Sequence, residues 1–156
     1  MKLCEMSIHD LITVDYACGC GRHHHMAIDH LAIGKGAVNK LTEFLGEQKL
    51  KDGTALSKED KIYVIADVHT WPVAGEMVYD LVKAAGYPVE YYIFPHEEMH
   101  TNEIFIGELQ DAMPKDIKLP IAVGSGTIND LVRMVSFKRQ IPYYIIGTAP
   151  SMDGFA

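Results

Sequence analysis

From position 61 onward, short apolar segments alternate with longer amphipathic ones, and this order constrains the fold more than any other feature. The apolar segments are residues 62–66, 89–94, 121–123 and 143–146. Strands that alternate with helices of about ten to fifteen residues are typical of βαβ units and a parallel sheet. The sequence therefore predicts an α/β fold, a Rossmann-like, doubly wound and mostly parallel sheet with right-handed crossovers.

The amino-terminal part carries a weaker pattern. Residues 11–14 and 25–33 are strand candidates on either side of the segment Cys18-Gly19-Cys20-Gly21. We expect a β-hairpin there, added to one edge of the sheet. Residues 37–45 have the spacing of a helix that Gly46 would end.

Composition and charge limit the classes of function. At 156 residues the chain is long enough for one domain with a hydrophobic core. A net charge of −7 argues against binding to nucleic acid or to an anionic membrane. No apolar run reaches the roughly 20 residues that span a bilayer, and the amino terminus lacks a signal-peptide pattern. Three cysteines do not form a disulfide framework, so we expect a cytoplasmic protein.

The segment Gly124-Ser125-Gly126-Thr127-Ile128-Asn129-Asp130 joins a predicted strand to a predicted helix over residues 126–139. Glycines let backbone N–H groups approach a ligand, and the start of a helix attracts anions. We therefore expect a phosphate or pyrophosphate site here. The third glycine of the usual dinucleotide fingerprint is absent, which disfavours a conventional Rossmann dehydrogenase. A plain strand-to-helix turn is the alternative.

Two further segments follow strand ends on the same predicted edge. The carboxylate of Asp67 would accept hydrogen bonds from ribose hydroxyls, or would cap the helix that begins near Thr70. The second segment is Thr148-Ala149-Pro150-Ser151-Met152-Asp153-Gly154, which follows the last predicted strand. Its hydroxyls and the Asp153 carboxylate suit a cofactor and a polyol, and a surface turn is the alternative. Only two residues follow this segment, so we expect the natural protein to continue.

Cysteines and histidines near the predicted hairpin raise the question of a metal site. They are Cys18, Cys20, His23, His24 and His25. Structural zinc sites usually place two or more residues between paired ligands, and neighbouring residues of a strand point to opposite faces. We therefore expect a hairpin with exposed histidines, and a structural metal on residues 18–25 is the less favoured alternative. The other histidines, His69 and His96 among them, are expected on the surface.

Taken together, the motifs resemble the sn-glycerol-1-phosphate dehydrogenase family of the iron-containing alcohol dehydrogenase superfamily, beside glycerol dehydrogenase and 3-dehydroquinate synthase. They are residues 62–67, Gly75-Glu76, residues 124–130, Ile141-Pro142 and residues 148–154. The resemblance runs from about Cys18 to Ala156. It implies that residues 1–156 are the NAD(P)-binding, dehydroquinate synthase-like amino-terminal domain. A second, helical domain would carry the metal ligands, one aspartate and two histidines, and is absent from this chain.

The resemblance also implies site residues and a reaction. The cofactor-binding residues would be Asp67, Gly124, Gly126, Thr127, Ile128, Asn129, Asp130, Thr148, Ala149, Pro150 and Ser151. Asp153 would contact the substrate, and no catalytic residue or metal ligand falls within the chain. The full-length enzyme would reduce dihydroxyacetone phosphate to sn-glycerol 1-phosphate with NADH or NADPH, aided by zinc or nickel. This chain alone is expected to be inactive.

Two alternatives and one question stay open at this point. A glycerol dehydrogenase would use the same fold on an unphosphorylated polyol, and a nucleotide-binding module without catalysis would use the same loops. Whether the protein forms a homo-oligomer is not decided by these patterns.

Overall fold

A computed structural model describes residues 5–150, which form two compact units that divide between Lys35 and Gly36. The first unit contains helix α1 (Ile8–Thr13) and strands β1 (Asp15–Ala17) and β2 (His23–His25). β1 and β2 pair antiparallel as a hairpin and form a two-stranded sheet of their own. The hairpin is therefore present, but it is not a further strand of the larger sheet, where we expected it.

Both predicted strand ranges of the first unit were wrong. Residues 11–13 belong to α1, because a capping box fixes the start of a helix just before them. The Ser7 hydroxyl accepts a hydrogen bond from the Asp10 N–H (3.1 Å), and the Asp10 carboxylate accepts one from the Ser7 N–H (3.3 Å). The second strand ends at His25, where the prediction had placed its first residue.

The second unit alternates strands and helices. It begins with a 3₁₀ turn (Ala37–Lys40) and helix α2 (Leu41–Glu47), in which Gly46 lies inside the helix rather than after its end. The remaining elements are β3 (Lys61–Asp67), a π-helix (Trp71–Gly75), α3 (Glu76–Ala84), β4 (Val89–Phe94), α4 (Glu103–Ala112), β5 (Ile117–Gly124), α5 (Gly126–Arg139) and β6 (Tyr144–Gly147). The predicted α/β class and the predicted bounds of the last helix are confirmed.

The four strands of this unit form one parallel sheet in the order β4-β3-β5-β6. The chain passes from β3 outward to β4, and then returns across β3 to β5 and β6. The direction of winding therefore reverses between β3 and β5. In open α/β sheets such a reversal opens a crevice at the carboxyl ends of the two strands.

Helices cover both faces of the sheet, as the continuous apolar strands predicted. Successive residues of β3 point to opposite faces, so that Ile62, Val64 and Ala66 pack in one core cluster. Tyr63 and Ile65 pack in the other cluster, with residues of α4 and α5. Ile62 and Val64 to Ala66 are completely buried, which identifies β3 as the centre of the unit.

No helix within residues 5–150 combines the length and the apolar composition that crossing a bilayer requires.

Candidate functional site

Three strand ends lie side by side at the carboxyl edge of the sheet. Asp67 is the last residue of β3, Gly124 of β5 and Gly147 of β6. Gly124 pairs with Gly147, and Asp67 and Gly124 each lie two residues beyond the paired positions Ile65 and Ala122. The structure thus brings the predicted segments together at the point where the winding reverses.

The close approach of α5 to β5 depends on Gly124. A Cβ atom at this position would lie 2.8 Å from both Cβ and Cγ1 of Ile128, which is closer than real side chains approach. Glycine therefore allows the first turn of α5 to pack against the last residue of β5. Larger residues would push the start of the helix away from the strand.

The amino terminus of α5 offers backbone donors to an anion. The first N–H groups of any helix have no acceptor within it, and the Ser125 side chain forms no capping hydrogen bond to them. The helix has fourteen residues, so its dipole adds partial positive charge at the same place. The arrangement suits a phosphate or pyrophosphate group.

The predicted residues of this turn contribute in different ways. Ile128 is buried in the core, so only its backbone can face a ligand. Asn129 is 1% exposed and Thr127 is half-buried. The Asp130 carboxylate pairs with the Arg133 guanidinium at 2.8 Å. This pairing offsets a negative charge that would otherwise repel an anion near the helix start.

Asp67 stabilises the turn that leads into the π-helix, and it does not cap the helix itself, as the alternative from the sequence had suggested. Its Oδ1 atom accepts hydrogen bonds from the N–H groups of His69 (2.8 Å) and Thr70 (2.7 Å). The Thr70 hydroxyl in turn accepts one from the Asp67 N–H (3.0 Å). Both backbone bonds end on the same carboxylate oxygen, Oδ1.

The segment after β6 begins at the same edge. The Thr148 N–H donates a hydrogen bond to the Gly124 carbonyl (3.1 Å), which ties the two predicted loops together. Ala149 and Pro150 are exposed. The predicted residues Ser151 and Asp153 lie outside the described residues, and their roles stay predictions.

A polar network beside β4 was missed in the sequence. The Tyr92 hydroxyl donates to Glu108 Oε1 (2.6 Å), and His96 Nε2 lies 2.9 Å from Glu108 Oε2. Burial, followed by the hydrogen bond to Glu108, holds the pKa of the Tyr92 hydroxyl well above its usual range. His96 and Tyr92 lie 12 and 16 residues from Glu108 in the chain, so no local sequence pattern predicts the network.

The resemblance implies a dinucleotide and a metal ion, and the described residues suit only the first. The glycine contact and the uncapped helix start fit the pyrophosphate of a dinucleotide. Among residues 5–150, no aspartate and two histidines come together as the expected metal site would require. The one group of three metal-ligating side chains that the described residues bring together is Cys18, Cys20 and His24, which is a different donor set.

Comparisons with known proteins identify the family of the chain. The sequence profile of the iron-containing alcohol dehydrogenases matches residues 32–156. A glycerol-1-phosphate dehydrogenase (NAD(P)+) of Halalkalibacterium halodurans is 37% identical in an alignment of 142 positions that covers 88% of this chain and 33% of the relative. The protein of the same name from Geobacillus stearothermophilus is 27% identical over 97% of this chain and 36% of the relative.

A solved structure supports the fold. The crystal structure of glycerol dehydrogenase from Schizosaccharomyces pombe matches with a TM-score of 0.61 at 19% identity, over 75% of this chain and 27% of that chain. The chain thus spans about one third of the length of the curated relatives that it matches. With the profile match over residues 32–156, these findings show that the chain belongs to the iron-containing alcohol dehydrogenase family.

Proposed function

We propose that this chain is the cofactor-binding part of an NAD(P)-dependent dehydrogenase that interconverts dihydroxyacetone phosphate and sn-glycerol 1-phosphate. One observation carries the proposal. An uncapped helix start packs against a glycine at the point where the sheet reverses its winding. The relatives that share this part of the chain are named glycerol-1-phosphate dehydrogenases, which supports the choice of substrate.

In this proposal the residues of the sheet edge bind and orient the dinucleotide. Backbone N–H groups of Gly126, Thr127 and Ile128 donate to the pyrophosphate, where the helix dipole adds to the attraction. Asp67 accepts hydrogen bonds from ribose hydroxyls, and the turn at Thr148 borders the same crevice. The bound cofactor supplies the hydride, while the protein holds it within reach of the carbonyl carbon.

We assign no ligand of the family's metal to this part of the chain. Its aspartate and two histidines are not found together among residues 5–150, so these residues are assigned binding and orientation only. By the resemblance, zinc or nickel would be held by the ligands of the second, helical domain.

A chimera tests the function. We expect this chain, joined to the carboxyl-terminal two thirds of the Halalkalibacterium halodurans relative, to bind NADH or NADPH in a calorimetric titration. It should oxidise the bound cofactor with dihydroxyacetone phosphate, and it should act on glycerol much more slowly. A folded chimera that binds neither nucleotide would refute the proposal, and a preference for glycerol would refute the substrate assignment.

Two substitutions of Asp67 separate cofactor binding from stabilisation of the turn before the π-helix. In the chimera, Asp67→Asn should preserve stability, because an amide oxygen can still accept the two N–H bonds. It should weaken NADH binding about tenfold, because a charged acceptor binds hydroxyls more strongly than a neutral one. Asp67→Ala should lose the same affinity and also about 1 kcal/mol of stability, read from urea unfolding. Unchanged NADH affinity in Asp67→Asn would leave this residue with its role in the turn alone.

A further inference from the structure

The hairpin of the first unit brings two thiols and one imidazole together. The ligand atoms of Cys18, Cys20 and His24 all lie within 4.8 Å of one another. Cys20 Sγ lies 3.1 Å from His24 Nε2. Both cysteines are free thiols, Cys20 exposed and Cys18 half-buried.

Strand alternation selects one of three consecutive histidines. His24 pairs with Tyr16 across the hairpin, and the two rings stack with their centroids 5.7 Å apart. Cys18 follows Tyr16 by two residues, so its side chain lies on the face that His24 occupies. His23 lies on the opposite face, where its Nδ1 atom is 3.1 Å from Asp15 Oδ1. In the sequence analysis, the alternation of side chains along a strand argued against a metal site on adjacent histidines. The site described here needs only one of them.

The turn between the strands brings the second thiol back to the first. If residues 18–20 were an extended strand, Cys18 and Cys20 would be about 7 Å apart. Gly21 instead adopts a left-handed conformation (φ 81°), and its N–H donates to the Cys18 carbonyl (3.0 Å). The Cys18 N–H donates to the Arg22 carbonyl (2.8 Å), which closes the hairpin. The turn therefore allows Cys18 and Cys20, although close in sequence, to bind the same metal ion.

The described residues of the first unit form no hydrophobic core that could hold this hairpin. None of its described residues, 5–35, is buried. Units of fewer than about 40 residues usually depend on a metal, disulfides or association for stability.

We propose that Cys18, Cys20 and His24 bind one Zn²⁺ ion that stabilises the hairpin. Tetrahedral zinc holds sulfur and nitrogen ligands about 3.6 to 3.8 Å apart, so each donor needs to move by about 1 Å or less. Thiolate and imidazole favour zinc over magnesium or calcium. Binding releases the protons of the two thiols, and water fills the fourth position.

This site is independent of the proposed dehydrogenase function. It lies outside residues 32–156, which match the family profile. Its donors also differ from the aspartate and two histidines expected for the family's metal. A failure of cofactor binding would leave the zinc proposal intact, and the reverse also holds.

The test loads the reduced chain with zinc chloride. The chain is stripped with a chelator, kept reduced with a phosphine, loaded and dialysed, and its metal content is measured by mass spectrometry. We expect one zinc per chain, protection of both thiols from alkylation, and an X-ray absorption spectrum with two sulfur ligands. Cys18→Ser, Cys20→Ser and His24→Gln should each weaken binding about 100-fold or more in competition with a chromophoric chelator.

The neighbouring histidines provide matched controls. His23→Gln and His25→Gln remove the same side chain from adjacent positions, and each should leave the affinity within about threefold. Circular dichroism checks that the second unit stays folded in every variant. Zinc lost in dialysis by the reduced chain would overturn the proposal. Equal weakening by all three histidine variants would overturn it as well, because it would indicate non-specific binding to the histidine run.

Discussion

Gly124→Ala should lower both the stability of the protein and its affinity for NADH. The added Cβ would meet Ile128 at 2.8 Å, and the atoms that it meets include a Cβ fixed to the helix backbone. The start of α5 must therefore move, at a cost of about 1–3 kcal/mol for overpacking. Because a hydrogen bond to a charged group is worth about 1.5–3 kcal/mol, losing one to the pyrophosphate should weaken binding at least about tenfold.

The control is the same substitution in a helix with space for it. A Cβ on Gly107, in the middle of α4, would meet no atom within 4 Å. Gly107→Ala should therefore leave NADH affinity unchanged and stabilise the protein by about 0.5–1 kcal/mol. Both variants are made in the chimera and compared by urea unfolding and calorimetry. If Gly124→Ala destabilises the fold but binds NADH normally, the glycine serves packing only and the pyrophosphate does not lie at this turn.

Arg139→Ala should be among the most destabilising single changes at a polar residue. The Arg139 guanidinium donates to the carbonyls of Gln110 (3.0 Å), Met113 (2.6 Å) and Pro114 (2.7 Å). These carbonyls lie at the end of α4, where a helix leaves acceptors unpaired and favours positive charge. We expect a loss of about 2–3 kcal/mol in urea unfolding, less than three separate bonds would suggest, since such contributions are not additive.

Two neighbouring variants show whether the fork of hydrogen bonds is responsible. Arg139→Lys keeps the charge but cannot donate in the planar arrangement of a guanidinium, so it should recover less than half of the loss. Lys138→Ala removes an exposed cation that donates to Gln110 Oε1 at 3.3 Å, and should change stability by less than about 0.5 kcal/mol. A result in which Arg139→Ala and Lys138→Ala are equal would contradict this account of α4.

Local hydrogen bonds explain where the sequence-based expectations failed. The apolar run at residues 11–14 suggested a strand, but Ser7 and Asp10 cap a helix ahead of it. Gly46 suggested a helix end, yet α2 continues to Glu47 because nothing at that glycine requires a left-handed conformation. The helix after β3 begins as a π-helix, in which the Trp71 ring lies so close to Gly75 that a Cβ there would be 2.6 Å from it. Such fits depend on particular side chains and leave no periodic signal.

The candidate site was predictable in part. Asp67, Gly124 and Thr148 could be assigned to strand ends from the apolar runs before them, and the structure places all three at one edge. Their roles in cofactor binding stay predictions. The network of Tyr92, His96 and Glu108 could not be found in this way, because its members meet only when α4 packs near the end of β4.

The amino-acid sequence by itself determined the α/β class, the order of the elements in the second unit and the bounds of α5. Strands buried on both faces must be continuously apolar, and helices need apolar residues at a fixed spacing, so both leave a pattern in the sequence. Only the tertiary structure decided the order β4-β3-β5-β6, which puts the reversal between Asp67 and Gly124. It also decided which histidine of three meets the two thiols. Both outcomes depend on contacts between residues that are distant in sequence or that a turn folds back on each other. Such contacts produce no regular spacing of residues in the sequence.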